Sequence, residues 1–176
     1  MSSEKLIPDR PSQLYDQIKE ALIFKFGDEL DVKGYEDVSP EIDKSTFLIE
    51  FERGTGHELN HKGQYGHCYF VAVHVLISNG HKRAALAAMN VCADVERLVH
   101  YNSFGIDTDS INKPEDVTSE PSMFSKGEGG YEGWTVSWKQ TLYLGETEEE
   151  EPRQGIRWAI NPQNDEDPGE YHPIPD

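Results

Sequence analysis

Basic residues are scarce in this chain: 16 Lys and Arg stand against 33 Asp and Glu, giving a formal net charge of −17 and a pI near 4.7. No Lys/Arg cluster interrupts the acidic background, and neutralising phosphates is what holds a protein on nucleic acid or an anionic bilayer. Nucleic-acid binding by direct phosphate contact is therefore not expected. Cysteine is nearly absent as well. Cys68 and Cys92 lie in apolar stretches without C-x-x-C spacing, which excludes a disulfide scaffold and reads as two buried free thiols in a reducing compartment. No run approaches the roughly 18–20 apolar residues that cross a bilayer. The opening MSSEKLIPDRPS lacks the apolar centre of an export signal, so a soluble chain with no membrane partner is expected. A phosphate loop, a dinucleotide fingerprint and a nucleophile elbow are missing too. The glycine-rich stretch 127–130 precedes a strand pattern rather than a helix, the wrong context for an anion site. Hydrophobic content is only 36%, so part of the 176 residues is expected to stay outside any core.

What is present divides the chain into three parts. Residues 1–10 read as an N-terminal extension, 11–145 as one α+β domain, and 146–176 as an arm. In the domain, Leu14, Ile18, Leu22 and Phe26 step at i+4, predicting a helix over 12–26 with Ser12 as N-cap and Gly27 as its stop. Residues 46–52 alternate, with Phe47, Ile49 and Phe51 inward, and predict a strand covered on one face. The run 67–77 is apolar on both faces and β-branched, as a central strand requires. Ala85, Ala88, Met89, Cys92, Val95 and Val99 trace the buried face of a second helix, from about 80 to 100, capped by Ser78 or Asn79. Residues 102–130 read as loop, with room for a short strand at Met123–Phe124. Residues 133–144 alternate again, with Trp134, Val136, Trp138, Leu142 and Leu144 on one face. A mixed or antiparallel sheet with two helices packed on it is the expected fold.

The arm holds ten Asp/Glu against Arg153 and Arg157, and five of the ten prolines. That composition cannot build a core. A short apolar patch, residues 156–160, interrupts it. Trp158 and Ile160 in that patch, together with Leu59, are the expected partner contacts.

Residues 57–61 spell H-E-x-x-H, the zinc-protease signature, and His67 falls where a third ligand would stand. The chemistry needs His57 and His61 on one face of a helix, with Glu58 as base toward a metal-bound water. Gly54, Gly56, Gly63 and Gly66 surround the motif, and each glycine inside a helix costs about 1 kcal/mol. Gln64 occupies the position where the elongated motif has glycine. Residues 54–66 are accordingly expected to form a mobile loop of a hairpin, with His57, His61 and His67 as decoys and no catalytic metal. His74, in mid-strand, reads as a satisfied core histidine. Neither catalytic residues nor a cofactor are expected.

The order of these elements, in "PSQLYDQIKEAL", "STFLIEFERGTG", "HCYFVAVHVLISNGHKRAALAAMNVCADVERLV" and "GGYEGWTVSWKQTLYL", resembles the tail-terminator (tail-completion) proteins of tailed bacteriophages over residues 11–145. The resemblance implies a virion protein, assembled in the host cytoplasm, whose six copies form a ring. That ring would cap the tail tube protein, end its growth and meet the head–tail connector protein, while DNA passes through without specific binding. Two alternatives stand beside it: another head–tail joining or neck protein, and a metal-dependent hydrolase using His57, Glu58 and His61.

Overall fold

The computed structural model describes residues 5–27, 30–37, 44–78, 81–122 and 131–145, with the backbone alone at 157–158 and 172–173. Helix α1 spans Ser12–Phe26 and α2 spans Ala84–Val99. The strands are β1 (Asp31–Gly34), β2 (Thr46–Leu59), β3 (Tyr65–Ser78), β4 (Glu115–Pro121) and β5 (Tyr131–Leu144). They form one mixed sheet in the order β1-β2-β3-β5-β4. β1 runs parallel to β2, and the other pairs are antiparallel. This is the expected α+β fold. In the arm, β6 (Arg157–Trp158) pairs antiparallel with β7 (His172–Pro173).

β3 is the central strand, paired along its length with β2 on one side and β5 on the other. Its inward residues Val71, Val73 and Val75 are buried under both helices, with Leu14, Ile18 and Leu22 from α1 and Ala88, Cys92 and Val95 from α2. Phe47 and Ile49 continue this face on β2, and Val136, Trp138 and Leu142 continue it on β5. At about 25 cal/mol per Å² of apolar area removed from water, this single layer between helices and sheet is the main stabilising term. Gln140 also lies on this face and is wholly buried. It is satisfied there: its Nε2 donates to the Asn112 carbonyl at 2.6 Å and its Oε1 accepts from Trp138 Nε1 at 3.3 Å. That pair fastens the segment after α2 to the sheet.

Several local expectations are corrected. β2 is not covered on one face only: Thr46 and Leu48, on the side away from the helices, are buried as well. Ser12 makes no capping bond; Pro11 precedes the helix, and Gln13 Oε1 instead accepts from the Asp9 and Arg10 amides at 2.8 and 3.2 Å. Gly27 does end α1, at φ 60°, where a residue with a Cβ would be strained. Helix α2 starts at Ala84, after a left-handed Arg83, so Ser78 is not its cap and ends β3 instead; Asn79 lies outside the described residues. With that start, Ala84 is buried in place of Ala85, and Met89 is 43% exposed rather than core filler. The loop expected over 102–130 contains β4, at 115–121; the strand considered at Met123–Phe124 lies outside the described residues. Within the N-terminal extension, the Leu6 amide donates to the Gly105 carbonyl at 3.1 Å, and its carbonyl accepts from the Asp107 amide at 2.8 Å.

Val73 is fully buried on the central strand. Val73→Asp would place an unpaired charge in that layer, at a cost of roughly 3–5 kcal/mol. With a urea slope of about 2 kcal/mol per molar, the unfolding midpoint should fall by about 2 M. An unchanged midpoint in urea-monitored circular dichroism would refute the placement.

Candidate functional site

The H-E-x-x-H segment is not a loop. β2 runs on to Leu59 and β3 starts at Tyr65, so His57 and Glu58 are strand residues and only residues 60–64 form the turn. The loop expected over 54–66 is thereby corrected, and the side chain of Asn60 supplies the reason. Its Oδ1 accepts from the amides of Lys62 (3.0 Å) and Gln64 (2.9 Å), while its Nδ2 donates to Gln64 Oε1 at 2.9 Å. Asn side chains that bond the backbone two residues on make tight turns, and Gly63 takes the positive φ of 77°. Gln64, only 2% exposed, then ties the tip to the end of β5 through a 2.9 Å bond from its Nε2 to the Gly145 carbonyl. Lys62 and Asp109 pair at 2.7 Å on the other flank.

The strand geometry decides the metal question for His57 and His67. Residues opposite one another in a ladder share a face, and successive residues alternate. His57 is opposite Gly66, which is opposite Tyr143; His67 is opposite Gly56 and Leu142. The two histidines thus project from opposite faces. His57 meets the edge of the Tyr143 ring at 6.5 Å, whereas His67 lies against Tyr65 and Tyr69 at 5.0 and 6.4 Å. Gly66 is required between them: a Cβ there would stand 2.7 Å from the Glu58 carbonyl oxygen and 3.0 Å from the Tyr143 ring. Among the described residues no group of three or more His, Cys, Asp or Glu is arranged to hold a metal ion.

The same hairpin carries a different feature. β1 pairs with β2 only over Thr46–Ile49. From Glu50 to Leu59, the outer side of β2 has no strand partner among the described residues, and every residue from Glu52 to Leu59 is exposed. Leu59, at the tip, is 63% exposed. β4, the opposite edge, is blunted: it ends in Pro121, holds Asp116 at φ 51° and has an irregular register between Glu115 and Thr118. Proline and bulges are how sheets protect an edge from further pairing. β2 bends at two register shifts but has no proline. Of the other expected partner contacts, Trp158 is placed only by its backbone in β6 and Ile160 lies outside the described residues.

On the face away from the helices, three strands contribute to one polar chain. His74 Nδ1 lies 2.8 Å from Thr135 Oγ1, and its Nε2 lies 2.9 Å from Glu50 Oε2. Because a carboxylate only accepts, Nε2 carries a proton, and in the neutral tautomer that fits this geometry Nδ1 accepts the Thr135 hydroxyl. The chain borders a cleft of about 320 Å³ that also takes in Tyr35, Glu52 and Glu120. Hydroxyl, imidazole and carboxylate are the parts of a hydrolytic triad. Thr135 is paired on both sides, with His74 and Glu120, so its hydroxyl stands in mid-ladder and not on a turn. The chain fastens β2, β3 and β5 together. Sequence reading found His74 satisfied but missed its partners, because Glu50 and Thr135 are 24 and 61 residues away.

No protein-family model and no curated protein matches the sequence. One solved structure overlays 75% of this chain and 97% of its own at 12% identity and a TM-score of 0.44, a likeness too slight to carry an argument.

Removing the acceptor in Glu50→Ala takes the 2.9 Å carboxylate partner from the buried His74 Nε2, which costs about 1–3 kcal/mol. Glu50→Gln keeps an acceptor and should lose less than half as much; equal losses in equilibrium unfolding would show that the bond to His74 contributes nothing. The thiols differ in a second measurable way. Burial, with Glu96 adding to it, pushes the Cys92 thiol up to about 12 from 9.0, while Cys68 is half-buried. An acid whose folded pKa is raised contributes stability that is complete below the unfolded value and is lost as pH rises toward the folded one, here from about 9 to about 12. At pH 8 a disulfide reagent should therefore modify Cys68 alone in the native protein and both thiols after unfolding. Fast native labelling of Cys92 would contradict this.

Proposed function

We propose that this protein is the tail terminator of a tailed bacteriophage: six copies form a ring that caps the tail tube, ends its polymerisation and meets the head–tail connector. The observation that carries the reading is the projecting β2–β3 hairpin, whose outer edge has no strand partner among the described residues over Glu50–Leu59 and, although it bends at two register shifts, carries no proline. A strand edge of that length is a template for pairing with another chain. One open edge and one blunted edge make the subunit asymmetric, as the head-to-tail contacts of a closed ring demand. Leu59 at the tip is the contact assigned to a neighbour or to the last tube ring. The order helix, short strand, long hairpin, helix, long strand is also the order of the family the sequence resembles.

Electrostatics support the same reading. A chain of net charge −17 lining a conduit gives DNA no cations to grip. Termination itself follows from unlike faces: one complements the tube, and the other must not, or a further tube ring would add.

The test is genetic and visual. Particles lacking the gene should carry tails of uncontrolled length, unattached to heads, under negative-stain electron microscopy. Tails of normal length on full heads would refute the proposal, and tails of normal length without heads would assign the protein to the neck instead.

A further inference from the structure

An apolar groove lies on the helix-covered side of the hairpin, between the start of α1 and the strands. Its volume is about 280 Å³, and its walls are Pro11, Ser12 and Tyr15 on one side and Phe51, Gly54 and Tyr69 on the other. Phe51 and Tyr69 meet edge to face at 5.8 Å. Gly54 keeps the slot open, since a Cβ there would come within 3.0 Å of the Tyr69 ring. Tyr15, Phe51 and Tyr69 are each only half-buried, so aromatic surface faces the slot. In a chain of net charge −17 the lining holds no carboxylate among its described residues. Its one charged member is Arg53, whose guanidinium stacks on Phe70 at 3.8 Å. The groove therefore suits a bulky apolar side chain from an acidic segment, as a pocket for a single aromatic anchor does.

We propose that the occupant is Trp158 of the chain's own acidic arm, docked in the groove of the same copy. Two distances argue for this source. The arm leaves the sheet at Gly145, beside the hairpin tip, and Tyr69 pairs with Gln140, four residues back from Leu144. Four strand residues are about 13 Å, which with a step across the sheet places the groove some 15–20 Å from the point of departure. Trp158 is thirteen residues beyond Gly145, and a chain of that length reaches at most about 43–47 Å, which takes in the groove of the same copy. A tethered anchor meets that groove at the effective concentration its linker sets, with no second copy required. The arm also carries acidic residues on both sides of its apolar patch, Glu148–Glu151 before it and Asp165–Asp167 after it, while the carboxylates that act on Tyr15, namely Glu36, Asp37 and Asp16, lie outside the groove's lining. Pairing of Arg157–Trp158 with His172–Pro173 holds the backbone around the anchor in one conformation, which lowers the ordering cost of docking. The inference is independent of the ring.

The test replaces Trp158 in the full chain by a benzophenone amino acid, irradiates the protein and maps the crosslinks by mass spectrometry. Crosslinks should form within single chains, to the peptides carrying Tyr15, Phe51 or Tyr69. They should fall about tenfold when the groove is filled by Ser12→Trp or loses a wall in Tyr15→Ala, the usual weight of an anchor pocket. Both changes are at partly exposed positions, and circular dichroism reports whether the fold is kept. Crosslinks to other peptides, crosslinks only between chains, no crosslinks, or yields unaffected by both groove variants would each overturn the proposal.

Discussion

Full-length pairing of β3 with both neighbours is the constraint on which the rest of the structure depends. A strand paired on two sides, over Tyr65–Leu76, fixes the register of β2 and β5 at once. A slip by one residue would turn Val71, Val73 and Val75 out of the layer under the helices. The helices need no other guide: α1 and α2 present apolar stripes, and one sheet face of matching residues receives both. The Glu50–His74–Thr135 chain adds a second lock on the opposite face, where its hydrogen bonds link the same three strands.

The same register explains why the zinc signature has no zinc geometry. H-E-x-x-H works through a period of 3.6, which stacks positions i and i+4 on one helix face. Along a strand the period is 2, and a tight turn built by Asn60 separates His57 from His61 and reverses the chain. The ladder then sends His57 toward Tyr143 and His67 toward Tyr69, through opposite faces of the sheet. Residues that spell a catalytic motif in line thus become the outer part of a ribbon. Its consequence is a different one: an exposed strand and a tip held to Gly145 and Asp109.

Much of this was legible in the residues. The i+4 stripe of α1 and its glycine stop, the doubly apolar run of β3 and the alternation of β5 each placed an element, because periodicity reports burial directly. The α+β class followed from their order. What escaped was of two kinds. Local bonds shaped the boundaries: α1 begins after Pro11 with no side-chain cap, while Gln13 accepts from the Asp9 and Arg10 amides ahead of it, and Asn60 extended both strands to within a few residues of each other. β4 was missed because Glu115–Pro121 is exposed almost throughout and carries no apolar period at all; it is a strand only because β5 offers it an edge.

The sequence by itself determined which segments are helix and which are central strand, since hydrophobic spacing is a property of the chain before it folds. Only the tertiary structure decided which distant residues meet. Glu50, His74 and Thr135 become one hydrogen-bonded chain, Pro11 and Tyr15 form a groove with Phe51 and Tyr69, and His57 parts from His67, all through the cross-strand register. Register is set by the sum of every pairing in the sheet, and no single segment contains it.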